Sequence, residues 1–181
     1  MALLFFDNFG GYATADLNKV WIHAAGNGTP VVNASGGRNN GPYISLTGNT
    51  NATTLAIPSI TATPTFVVGF AYYTPNTAFV NTAFLQIRDG GSGQASLTVN
   101  ADGTLSVVRG TSTAVTSGTS TFSLLNTTWY YIEFKITIAD SIGAGTCEVR
   151  VNGVTWITVA TGQDLKNTAN ATATQVVFST T

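Results

Sequence analysis

Apolar and polar residues alternate with a period of two along most of the chain, and almost nowhere recur at helical spacing. In Thr65–Tyr72 the side chains of Phe66, Val68, Phe70 and Tyr72 share one face, while Val67, Gly69 and Ala71 share the other. Both faces are apolar or small, which predicts an interior strand. In Ala83–Arg88, Ala83, Leu85 and Ile87 alternate with Phe84, Gln86 and Arg88, which predicts a half-exposed strand. Leu97 and Val99, then Asn100-Ala101-Asp102-Gly103, then Leu105 and Val107 predict a hairpin in which Gly103 takes a positive φ after a type I turn.

The most informative stretch is Thr128–Ala160. Asn152-Gly153, flanked by Val149-Arg150-Val151 and Val154-Thr155-Trp156-Ile157, predicts a two-residue type I′ hairpin. The strand before it, Trp129–Ile138, pairs back through a loop at Ala139–Ala144. A register that sets Glu133 opposite Arg150 also sets Lys135 opposite Glu148, so both cross-strand pairs carry opposite charge. That register places Ile132, Phe134 and Ile136 on the core side with Cys147, Val149 and Val151.

Gly and Pro cut the rest into short strands at Val31-Val32, Tyr43–Leu46, Leu55–Ile57, Thr121–Ser123 and Gln175–Phe178. Thr14–His23 is the one helical candidate, with Thr14 as cap and Leu17, Val20 and Trp21 at helical spacing; one or two turns are expected there. Gly26–Gly41 and Thr111–Thr119 are rich in Gly, Asn and Thr and are expected to be surface loops. Many short strands at turn spacing, with no repeat and no linker, predict an all-β, antiparallel sandwich, barrel or jelly roll built as a single domain over residues 1–181.

Composition narrows the function classes. Only 8% of residues are charged, where an average soluble domain carries about 25%. A net charge of -1 offers no basic footprint for nucleic acid or anionic lipid. Hydroxyls and amides supply the polarity instead, and such a surface is cheap to desolvate, which points to burial in an assembly. Ala2–Phe6 is apolar but too short and without the flanks of a secretory signal, so synthesis in a cytoplasm is expected. No apolar stretch approaches the roughly 18 residues that span a bilayer, and no membrane partner is expected. The lone His23 follows Trp21 and Ile22 without a nearby Asp or Cys, and the lone Cys147 alternates onto an apolar face. Both are expected to be structural, and no nucleophile–base pair can be assembled from them.

Four stretches carry a resemblance. Asp7-Asn8-Phe9 with Tyr12 and Trp21, Gly41-Pro42-Tyr43-Ile44, Trp129–Lys135 and Glu148–Val154 resemble the concanavalin A-like lectin and glucanase jelly roll, in its laminin-G-like branch, over nearly the whole chain. Gly103–Gly110 and Trp129–Asn152 are similar to virion proteins of tailed bacteriophages that use this jelly roll. The resemblance implies a structural protein on the particle surface, either capsid decoration or cement or a part of tail or fibre. Its partners would be the major capsid protein or other virion proteins and sister subunits, a trimer among the arrangements that would cover edge strands. Ala2–Phe6 and Gln175–Thr181 are the candidates for strand exchange between subunits.

The resemblance also names the chemistry to look for. Glucanases of this fold carry Glu-x-Asp-x-x-Glu on one strand, and nothing here matches; Glu133 and Glu148 are better read as partners of Arg150 and Lys135. No enzyme activity is expected, and no catalytic, cofactor-binding or metal-binding residue is assigned. Calcium, which this fold often holds, would need more oxygen ligands than Asp89-Gly90-Gly91-Ser92 or Asn100-Ala101-Asp102-Gly103 supply beyond their turns, so no cofactor is expected. The alternative to a virion structural role is a lectin-like module, for which Tyr72, Tyr73, Trp129, Tyr131 and Trp156 are the candidate stacking residues.

Overall fold

The period-two segments become strands; among the described residues, six of their nine pairings join sequence neighbours and three join strands remote in sequence. The structure, a computed structural model, describes residues 5, 7–23, 28–47, 53–75, 78–110, 113–140, 145–159 and 162–180. Its strands are β1 (Val31–Asn33), β2 (Tyr43–Ser45), β3 (Thr53–Ala56), β4 (Thr65–Tyr73), β5 (Thr82–Asp89), β6 (Ser92–Val99), β7 (Thr104–Arg109), β8 (Thr113–Ser123), β9 (Trp129–Thr137), β10 (Thr146–Val151), β11 (Val154–Val159) and β12 (Gln175–Thr180). They form a four-stranded sheet in the order β11-β10-β9-β4, a six-stranded sheet in the order β3-β12-β5-β6-β7-β8, and a small β1-β2 pair. All these pairings are antiparallel.

The two large sheets stack as a sandwich because each presents one apolar face. Ile132, Phe134 and Ile136 of β9, with Cys147, Val149 and Val151 of β10, are buried against Leu85, Ile87, Leu97, Leu105 and Val107 of the larger sheet. The β9–β10 register is the expected one, with Glu133 opposite Arg150 and Lys135 opposite Glu148. Asn152 (φ 50°) and Gly153 (φ 81°) take the left-handed angles of the type I′ turn, and Gly103 (φ 81°) closes the β6–β7 hairpin.

The stretch around Thr14–His23 forms one 3₁₀ segment, Thr14–Lys19, which ends before Trp21. Ala13, not Thr14, occupies the cap position, and the Thr14 hydroxyl accepts a hydrogen bond from the Val32 amide at 3.0 Å. Leu17 and Trp21 plug one end of the core. Asp7 fixes that plug: its carboxylate accepts hydrogen bonds from the Tyr12 hydroxyl, the Trp21 indole and the Phe9 amide. The Trp21 ring packs against Phe5, Phe9 and Phe178.

Several expectations are corrected by pairing. Thr113–Thr119 belongs to β8 and is not a loop, because its Thr-rich backbone finds a ladder on β7. Residues 111–112 lie outside the described residues, as do 26–27 at the start of the other expected loop, within which β1 and a 3₁₀ turn, Arg38–Asn40, form. β5 is an interior strand, flanked by β12 and β6, and its middle residues Phe84–Ile87 are buried on both faces. An irregular register between Ala83 and Leu85 turns Phe84 inward onto Phe70 and Tyr72. β4, expected to be interior, ends the four-stranded sheet and pairs only with β9 among the described residues. Of the two strand-exchange candidates, β12 is held inside its sheet between β3 and β5, while residues 1–4 and 6 lie outside the described residues. No helix among the described residues is long and apolar enough to cross a membrane.

Burial makes three groups weaker acids. It pushes the Cys147 thiol, ordinarily near 9.0, and the Tyr72 phenol, ordinarily near 10.0, up to about 12. Burial, followed by the bond to Asp7, takes Tyr12 to about 12 as well. In the unfolded chain these groups ionise at their ordinary values, so the stability their neutral forms contribute is complete below about pH 9 and is lost as pH rises toward 12. The urea midpoint is expected to hold between pH 7 and about 9 and to fall steadily above that. The thiol should be unreactive toward a disulfide reagent in native protein and titrate once in urea; fast native labelling would contradict its burial.

Candidate functional site

The outward-facing residues of the four-stranded sheet line up in cross-strand rows set by the register. Tyr73 lies opposite Trp129, Ala71 opposite Tyr131, and Gly69 opposite Glu133. Glu133 in turn faces Arg150, Lys135 lies between Val67 and Glu148, and Thr137 lies between Thr65 and Thr146. The face therefore has an aromatic end, a charged middle and a threonine end.

At the aromatic end, Trp129 is tilted against Tyr73 with centroids 5.0 Å apart and meets Tyr43 edge-on at 6.3 Å. Arg38 sits over the Tyr131 ring, 5.7 Å from its centroid. Arg38 is presented by the 3₁₀ turn Arg38–Asn40, where Asn39 (φ 55°) and Asn40 (φ 58°) are left-handed, a conformation asparagine tolerates. The Asn40 side-chain oxygen accepts from the Gly36 amide at 3.1 Å and pins that turn. Tyr131 lies flat because Gly69 makes room: a Cβ there would stand 2.5 Å from the phenol oxygen.

The charged middle is a checkerboard. Arg150 donates from Nε to Glu148 at 2.7 Å, and this bond holds the Glu148 carboxyl below the usual carboxylate range, with Thr155 and Lys135 adding to the effect. Glu148 is thus bonded chiefly to Arg150 on its own strand, and the expected pairing with Lys135 survives only as register and charge. Among the described residues Glu133 and Lys135 make no side-chain hydrogen bond or ion pair. A carboxyl kept ionised by an arginine is no proton donor at neutral pH, so Glu148 is not set up as a general acid.

The other candidate residues are placed apart from this face. Tyr72 points inward onto Phe84, and Trp156 packs on Phe122 and Tyr130 at the margin between β8 and β11. Three of the five aromatic candidates thus share the face. Tyr43 and Arg38 join them from distant sequence, and no local spacing signalled either. Cys147 is buried, and His23 makes no hydrogen bond or ion pair among the described residues. Asp89 accepts from Thr168 and Asn170 in the connection before β12, and Asp102 from Thr104 within its own turn, so both carboxylates are engaged in holding loops. No group of three or more His, Cys, Asp or Glu side chains gathers among the described residues.

The architecture is an antiparallel jelly-roll β-sandwich. Among solved structures it is similar to domain 4 of AbnA, a GH43 extracellular arabinanase from Geobacillus stearothermophilus, in complex with arabinotriose, with a TM-score of 0.53 at 16% identity. That likeness covers 83% of this chain and 66% of the other, just under two thirds of its length, and it concerns the fold. No family model and no curated protein matches the chain.

Proposed function

We propose that the chain is a non-enzymatic structural protein of a tailed-bacteriophage particle, displayed on the outside of the capsid as a decoration or cement protein. The observation that carries this is the resemblance of Gly103–Gly110 and Trp129–Asn152 to virion jelly rolls; the second stretch is the β9–β10 hairpin that builds the candidate face. A surface with seven basic and eight acidic residues in 181 supports it, because uncharged hydroxyl surface is desolvated at small cost. Many modest contacts to a lattice would add up through multivalency. Purified chain added to particles stripped of it should rebind saturably at a fixed ratio and raise their resistance to heat. Failure to cosediment would contradict the proposal.

A second function, a lectin-like module, is favoured by the Tyr43–Trp129–Tyr73 cluster, since sugars stack their apolar faces on such rings. The structure to which the fold is similar holds arabinotriose. On this proposal calorimetry with arabino-oligosaccharides shows binding, and Trp129→Ala weakens it by about tenfold or more while leaving the fold intact. An unchanged affinity in that variant, or no binding across an oligosaccharide panel, would remove it.

A further inference from the structure

We infer that the outer face of the four-stranded sheet binds a second copy of this chain about a two-fold axis lying in the plane of the face. The inference names a surface for the assembly proposed above, but it is tested on purified chain alone, so its failure and that of the particle assignment are separable.

The charge pattern points to this partner. Glu133 and Lys135 are neighbours on the outer side of β9, flanked by the Glu148–Arg150 pair on β10, and the four together are neutral. A two-fold axis crossing the strands between positions 133 and 135 lays the face antiparallel on itself. Glu133 of each copy then meets Lys135 of the other, and Arg150 meets Glu148. Within one chain Glu133 and Lys135 have no ion-pair partner among the described residues; the two-fold supplies both at once. A parallel stacking of like on like would set equal charges together and is disfavoured.

The rest of the face agrees. Around the charges lie Gly69, Ala71 and the exposed Val67, apolar or small groups that gain from being covered. The same axis carries position 131 onto position 137, so the aromatic end of one copy covers the threonine row of the other and does not collide with itself. Four strands about 4.8 Å apart, two of nine residues and two of six at about 3.3 Å each, give a face of roughly 480 Å² per copy. That is at the low end for specific interfaces, so a reversible dimer is expected in place of an obligate one.

Sedimentation equilibrium over about 1 to 100 μM tests it. The wild-type chain should dimerise reversibly, and less tightly as salt is raised. E133K should weaken the dimer by about tenfold or more, because the symmetry repeats the like-charge contact, and K135E should do the same. The double exchange E133K/K135E should restore it. Circular dichroism and a thermal melt of each variant separate loss of the dimer from loss of the fold, since the exchanges also alter the pairings with Arg150 and Glu148 within the sheet. A chain that stays monomeric throughout, a dimer or trimer indifferent to the single exchanges, or a double variant that is not rescued would each overturn the inference; a monomer that binds oligosaccharide on this face would assign it to a sugar instead.

Discussion

Replacing Phe134 with alanine is expected to lower the stability of the fold by about 3–5 kcal/mol, the cost of a large cavity in a core that cannot collapse around it. Phe134 has no solvent exposure and sits at the middle of β9, opposite Val149 on one side and Val68 on the other. Its ring fills the space between two sheets that are each held in place by their own ladders. In a chain of this length such a loss lowers the melting temperature by roughly 10 °C. Urea denaturation should show an unchanged slope and a lower midpoint. Phe122→Ala is the contrast: that ring is 54% exposed and, among the described residues, stacks on Trp156 alone, so the loss should be under about 1 kcal/mol. Equal effects at the two positions would contradict the layered core.

The second large effect belongs to a polar side chain. Gln94 is fully buried, and its amide nitrogen donates to the Thr168 hydroxyl and to the Asn170 and Thr172 carbonyls at 2.6–2.9 Å. Its oxygen accepts from the Asn167 and Thr168 amides at 2.7 and 3.0 Å. One side chain thereby ties the long connection before β12 to the start of β6. Gln94→Ala would orphan several backbone groups together, at about 2–4 kcal/mol. The loss should be local first: amide exchange in residues 167–172 should speed up well before that of β9. Uniform protection in the variant would show that other contacts hold the connection.

Much of the fold was legible because local and long-range signals agree there. Asn152-Gly153 admits the left-handed angles a two-residue hairpin needs, and the opposed charges of Glu133, Lys135, Glu148 and Arg150 select one register, which the structure adopts. What was not legible depends on partners remote in sequence. The alternation of Ala83–Arg88 gives no sign of the irregular register that turns Phe84 inward, since that is set by Phe70 and Tyr72 across the core. Thr113–Thr119 reads as a loop by composition and becomes strand only because β7 offers a ladder.

The candidate site was half legible for the same reason. Trp129 and Tyr131 lie two apart on one strand, so their common face follows from the pleat, and Tyr73 joins through the β4–β9 register. Arg38 and Tyr43 reach the same patch from a turn closed by left-handed asparagines, and Gly69 matters for the atom it lacks. Tyr72 and Trp156 were drawn away by packing: one fills the core behind the face, the other covers the margin where β8 meets β11.

The central claim is that this jelly roll works as a repeated part of a particle surface. Quantitative mass spectrometry of purified particles, counting copies of this chain against the major capsid protein, tests it most directly. The account predicts a ratio near a simple fraction of the capsid lattice; absence of the chain from the particles would contradict it, and a few to dozens of copies would move it from the capsid to the tail or fibres.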